Sequence, residues 1–236
     1  MLLDGAGRRN VTLPGRRMRD VTFRSGAPSL PVTLPQLPSG GTPAIRGDPL
    51  TRIPSHTIED APEAARSLLA EMIQFSPTGR LLNMHAQMAH APAVLEAYVS
   101  IRRATARLGT LDQQVRTALM LVAAAADGSR YALAIISMLA LRSGWREDQV
   151  AALRSGAGVG EEKTDALIGV IREAAANSGR VTDATWGNAV GHGWGDEHLA
   201  EAFGYLGLAV FTSYFLNYAA TELDVPAGPA NTGQEG

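Results

Sequence analysis

A chain of 236 residues with 45% hydrophobic content is long enough for one domain with a substantial core, and its lack of cysteine removes disulfides, thiolate nucleophiles and iron–sulfur ligation. Charge is unevenly spread: residues 1–52 hold eight arginines against three aspartates, a net +5, which leaves −7 for the rest of a chain that totals −2. An acidic globular part argues against a nucleic-acid-binding domain, since phosphate neutralisation needs a basic face, and the missing cysteine fits a reducing cytoplasm.

Residues 1–51 read as a disordered tail rich in arginine and proline. Prolines at 14, 28, 31, 35 and 38 break any amphipathic transit helix, and the arginine pairs in "GRRNV" and "GRRMR" are not followed by the apolar run of an export signal. Three later runs, "TALMLVAAAA", "YALAIISMLAL" and "YLGLAVFTSYFL", are strongly apolar. Asp127-Gly128-Ser129-Arg130 separates the first two, and each falls short of the roughly 18–20 residues a membrane span needs. The third, between Glu201 and Asn217, reads as a buried or interface helix. No membrane partner is expected.

From residue 52 to 226 the pattern is helical almost throughout: alanine and leucine recur at three- and four-residue spacing and strict alternation is missing. Pro62 marks a first helix entry. "RLLNMHAQMAHAPAVLEAYVSIRRATARLG" predicts two helical pieces separated near Pro92 and closed by Gly109. Thr110 with Gln113 forms a capping box for a helix running to Ala126, which Asp127-Gly128 ends. Ser129 caps the next helix, which stops at Gly144. "REDQVAALRSG" and "GEEKTDALIGVIREAAANSG" supply two more, and Thr182-Asp183 begin a piece ending in the glycines 191–195. Asp196 launches a long last helix with a stripe of Leu199, Phe203, Leu206, Val210, Tyr214 and Tyr218. Residues 227–236 read as a flexible C-terminal tail. The fold class expected is all-α.

Four stretches carry a likeness: "RIPSHTIEDAPEAARSLL", "LLNMHAQMAHAPAVLEAY", "VRTALMLVAAAADGSRYALAIISMLALRSGWREDQVAAL" and "FTSYFLNYAATELDVP". In order and spacing they resemble the alkylhydroperoxidase D-like (AhpD-like) / carboxymuconolactone decarboxylase family. The resemblance implies a compact helical domain that assembles into trimers or hexamers, and the apolar surplus of the last helix is consistent with that. It also implies a redox site of one glutamate, a C-x-x-C pair and a histidine. Those positions fall near Thr117, at Ser129 and Ala132, and at Ile136, while the aromatic between the cysteines is kept as Tyr131. A serine hydroxyl is barely ionised at neutral pH, passes through no sulfenic acid and forms no disulfide, so thiol peroxidase activity is not expected.

Other residues support other chemistry. Ser129 at a helix N-terminus, with Arg130 beside it and Arg116 on the preceding helix, forms a candidate carboxylate site; the bland alternative is an N-cap serine with solvated arginines. His85 and His90, near Asn83, lie five apart, about 500° of helical rotation, a poor metal-ligand spacing. Each is more simply a packing or surface histidine, though His85 is a candidate proton carrier. "WGNAVGHGWGDEH" places Trp186, His192 and Trp194 among glycines, and histidine is a residue type suited to acid–base work; packing at a subunit contact explains the same residues. A Ser129–His192–Asp196 triad lacks the strand–turn elbow such sites use. No phosphate loop, metal motif or dinucleotide fingerprint appears, so neither cofactor nor metal is expected.

Two functions stay open. One is an enzyme without redox thiols, doing decarboxylation, isomerisation or related proton transfer on a small organic acid. In it Ser129 and Arg130, with Arg116, Thr117, Asn83, Trp186 and Trp194, would bind substrate, and His192 or His85, with Tyr131, would carry the chemistry. The other is a catalytically silent scaffold or binding protein.

Overall fold

A computed structural model describes residues 51–228, and the two tails expected from the sequence lie outside the described residues apart from their last and first positions. Among the described residues the regular structure is nine α-helices and no strand: α1 (Glu63–Gln74), α2 (Asn83–Met88), α3 (Pro92–Leu108), α4 (Gln113–Ala126), α5 (Arg130–Arg142), α6 (Glu147–Ser155), α7 (Glu162–Ala176), α8 (Asp183–Gly191) and α9 (Asp196–Ala219).

The centre is α4. Ala118, Leu119, Leu121, Val122, Ala123 and Ala124 are all buried, so this helix is apolar almost all round, as a helix enclosed by others must be. Its alanines let α5, α6, α7 and α9 approach closely. Truncating the fully buried Leu119 to alanine belongs to the class of change that costs about 2–5 kcal/mol. Helices α1 and α2 pack on α3, α3 packs on α9, and α8 packs on α7.

Local signals set most ends. Ser129 Oγ accepts from Ala132 N (3.4 Å) at the start of α5, and Thr182 Oγ1 accepts from Thr185 N (3.3 Å) at the start of α8. Gly128 (φ 63°) makes the reversal between α4 and α5 in the left-handed region that favours glycine. The cap of α4 differs from the expected Thr110–Gln113 box. Asp112 is the N-cap, its carboxylate accepting from Val115 N at 2.8 Å. Thr110 instead donates from its backbone N (2.6 Å) and its hydroxyl (2.8 Å) to Glu201 on α9. A charged acceptor brought in by the tertiary fold outcompetes the neutral glutamine three residues on.

The stripe expected along α9 also divides. Leu199 and Leu206 are buried, whereas Phe203, Tyr214 and Tyr218 are exposed. The buried face is Ala202, Tyr205, Leu208, Ala209, Thr212 and Leu216. By length and composition α9 is able to cross a membrane, yet half of its apolar window is buried in the domain, as in a core helix.

Both ends of the described chain are tied to α2. Thr221 Oγ1 donates to the Gln87 side-chain carbonyl (2.6 Å), and the Gln87 amide donates to Thr51 Oγ1, so both ends of this buried side chain are satisfied. Asp224 accepts from Tyr131 Oη (2.5 Å) and from Asn83 N (2.9 Å).

Candidate functional site

A cavity of about 330 Å³ opens between α2, α3, α4, α5 and α9. Most of its wall is hydrocarbon, from residues such as Met84, Met120, Ile135, Ile136 and Leu208. A few polar groups converge within that wall, the usual character of a small-molecule site.

His85 is one of them. It is 3% exposed, its ring lies 5.2 Å from that of Tyr98, and neither ring nitrogen has a hydrogen-bond partner. Burial, helped by the neighbouring Arg102 charge, pushes its pKa down to about 3. The imidazole is therefore neutral at physiological pH, with one unused donor and one unused acceptor. A buried polar group without partners is costly, so it is found where another role compensates.

Two guanidiniums face the same space. Arg102 on α3 donates to Tyr98 Oη (3.0 Å) and stands over that ring, 5.7 Å from its centroid. Arg116 on α4 donates to the carbonyls of Leu111 and Gly109, and its guanidinium lies 5.9 Å from the Tyr205 centroid. Among the described residues neither is in an ion pair. Each is held in place by hydrogen bonds to neutral groups. The Tyr205 hydroxyl donates to Thr105 O (3.2 Å), and burial raises its pKa to about 12, so it remains a neutral donor.

The residues singled out from sequence separate into two sets. His85, Arg116 and Thr117 line the cavity, with Thr117 Oγ1 lying 2.9 Å from both Gln114 O and Ser143 Oγ. Ile136 lines it too. Ser129, Arg130, Tyr131, Asn83, Trp186, His192 and Trp194 do not. Ser129 is fully buried as the cap of α5, with Ala132 equally buried beside it. Tyr131 is a locked donor: burial and the Asp224 carboxylate push its phenol well above the usual range. Asn83 Nδ2 donates to Glu222 O (3.0 Å) and fastens the C-terminal segment. Arg130 lines a separate groove with Tyr131 and Leu223.

The glycine-rich turn is a packing joint. Trp194 is buried, donates from Nε1 to Lys163 O (2.7 Å), and has the Lys163 ammonium 4.7 Å from its ring centroid. His192 Nδ1 lies 2.8 Å from Asn188 O, and Trp186 is exposed. No three His, Asp or Glu side chains among the described residues are grouped to hold a metal ion.

No protein-family model matches the sequence, and no curated protein is detectably similar to it. Solved structures do match. One is a peroxidase-related protein from Ralstonia eutropha JMP134 described as an alkylhydroperoxidase AhpD core, with TM-score 0.67 and 15% identity over 75% of this chain and 94% of that one. The fold is AhpD-like. A variant of the debrominase Bmp8 in complex with 2,3,4-tribromopyrrole shares the AhpD-like fold with TM-score 0.65 and 14% identity, over 75% of this chain and 94% of that one. A peroxidase-related protein from Silicibacter sp. TM1040 does so with TM-score 0.58 and 15% identity, over 75% and 95%. On this fold the present chain has no cysteine, so thiol chemistry of its own is absent.

Sequence reasoning missed Arg102, Tyr98 and Tyr205. The i, i+4 spacing of Tyr98 and Arg102 on α3 was the available signal, but an Arg-Arg pair in an amphipathic helix reads as a solvated face.

Proposed function

We propose that the protein is a cofactor-independent enzyme that moves a proton on a small organic acid bound in this cavity, by decarboxylation, isomerisation or a related reaction. The observation that carries the reading is His85: a buried neutral imidazole with both nitrogens unpartnered, in a cavity with two guanidiniums free of ion pairs. Arg102 and Arg116 hold the carboxylate and oppose negative charge as it develops on carbon. An anion bound there replaces unfavourable burial of charge with a partner, so the pKa of His85 rises from its depressed value toward the range where it exchanges protons. In isomerisation His85 accepts a proton from the carbon beside a carbonyl and returns it to a neighbouring carbon. In decarboxylation the C–CO₂ bond breaks, its electron pair stays on carbon, and protonated His85 quenches it.

The test is solvent deuterium incorporation, followed by proton NMR, on a panel of 2-oxo and unsaturated carboxylic acids incubated with the full chain in D₂O. Exchange on at least one acid should be lost in His85→Ala, fall by about a hundredfold or more in Arg102→Ala, and persist in His192→Ala. Exchange that survives His85→Ala rejects the assignment.

The scaffold reading draws support from the exposed aromatics of α9, Phe203, Tyr214 and Tyr218, which suit a protein contact. A homo-oligomer, trimer or hexamer, in the cytoplasm is compatible with either reading. Absence of exchange on every acid, together with a stoichiometric protein partner in native mass spectrometry, favours the scaffold.

A further inference from the structure

The wall that Arg102 contributes has a second side. A groove between α1 and α3, lined by Glu71, Arg103 and Arg107, shares Phe75, Arg102 and Ala106 with the cavity. Arg102 thus stands in the partition, reachable by an anion from either side. Glu71 is the carboxylate on the groove side, and its charge is felt by Arg102.

Glu71 is nevertheless turned to a different arginine. Arg103 Nε donates to Glu71 Oε1 at 3.0 Å and Arg103 Nη2 donates to Oε2, a two-pronged pair, while Arg103 Nη1 lies 3.4 Å from Glu96 Oε1. The Arg103 side chain is about half exposed, at 48%, where ion pairs add little to stability. The consequence of the pair lies in where it puts the carboxylate. Besides Arg103, the guanidinium whose charge acts on Glu71 is Arg102, which lines the same groove and, among the described residues, hydrogen-bonds the neutral Tyr98 hydroxyl.

We infer that Arg103 is a positioning residue that holds Glu71 away from Arg102, keeping that guanidinium available to an acid entering from the cavity. Glu71 is then an internal competitor for the ligand's carboxylate, and the Arg103 fork suppresses it. The inference rests on the reading of the cavity as an acid-binding site.

Benzoate, with benzamide as its neutral counterpart, is the probe, and affinities are measured by titration calorimetry on the full chain. The wild-type protein should prefer benzoate. Arg103→Ala, whose side chain is not part of the cavity lining, should weaken benzoate about tenfold and leave benzamide and the melting temperature nearly unchanged. Adding Glu71→Gln to Arg103→Ala should restore benzoate to within about twofold, because the competitor's charge is gone. A merely structural role for Arg103 would not be rescued in this way. Unchanged benzoate affinity in Arg103→Ala, or a loss that Glu71→Gln fails to restore, overturns the inference. Wild-type protein that binds benzoate no better than benzamide overturns the acid-binding reading beneath it, and that outcome is distinct from both.

Discussion

His85 ties stability to pH through its depressed pKa. Its folded pKa of about 3 lies below the ordinary 6.5, so between those values the unfolded chain binds a proton that the folded chain does not. Stability from this group is complete above pH 6.5 and declines as pH falls, by up to about 1.4 kcal/mol per pH unit while one proton separates the states. The carboxyls with lowered pKa values, Asp60, Glu71 and Glu201 among them, start from ordinary values of 3.8 to 4.5 and add their own losses only at lower pH. Over the window from 6.5 to 4.5 His85 costs stability as pH falls while those carboxyls do not yet contribute; Asp127, whose pKa is raised by burial, acts in the opposite sense and is common to wild type and variant. Urea unfolding at pH 6.5 and 4.5 should show a smaller loss for His85→Leu than for wild type; equal losses would mean the imidazole is not buried as described. At this scale the sequence was partly readable. His85 stood out as a candidate proton carrier, but nothing local distinguishes a histidine facing a cavity from one facing solvent.

The turn between α3 and α4 shows how one element positions another. Glu201 on α9 accepts from Thr110 N, Thr110 Oγ1 and Leu111 N. Burial raises its pKa, and those donated hydrogen bonds outweigh that effect, leaving the carboxyl below its usual range. The turn so anchored presents the carbonyls of Gly109 and Leu111 to Arg116, which fixes the guanidinium at the cavity. Gly109 has an ordinary φ of −69°, so backbone freedom is not what it provides. Space is: a Cβ there would come 2.4 Å from both Glu201 Oε1 and Thr105 O. Gly109→Ala should cost about 1–3 kcal/mol in chemical unfolding and weaken benzoate binding through Arg116, and a neutral result on both would show the turn to be slack. Helix limits were legible because Pro92, Ser129, Gly128 and Gly144 act on their own neighbours. The true partner of Thr110 was not, because it lies 91 residues away on α9.

For the whole molecule, α9 carries the surface that bears on assembly. Phe203, Tyr214 and Tyr218 are 66%, 62% and 71% exposed, a run of large aromatic groups left to water on a helix that is apolar on its other face as well. If the homo-oligomer expected of the AhpD-like fold forms through this face, Phe203→Ser with Tyr214→Ser should lower the subunit count in native mass spectrometry while helicity by circular dichroism is kept. An unchanged count would move the contact elsewhere.

Composition and spacing alone established an all-helical domain, most of its helix limits and the absence of cysteine chemistry, because these depend on residues acting on themselves or on neighbours within a turn or two. Which polar groups share a cavity was decided by tertiary packing. His85, Arg102, Arg116 and Tyr205 come from four different helices, and Ser129, Arg130 and His192 are carried away from them by the same packing. Helical periodicity says which face a residue shares with its own helix; what lies opposite that face is set only when the helices meet.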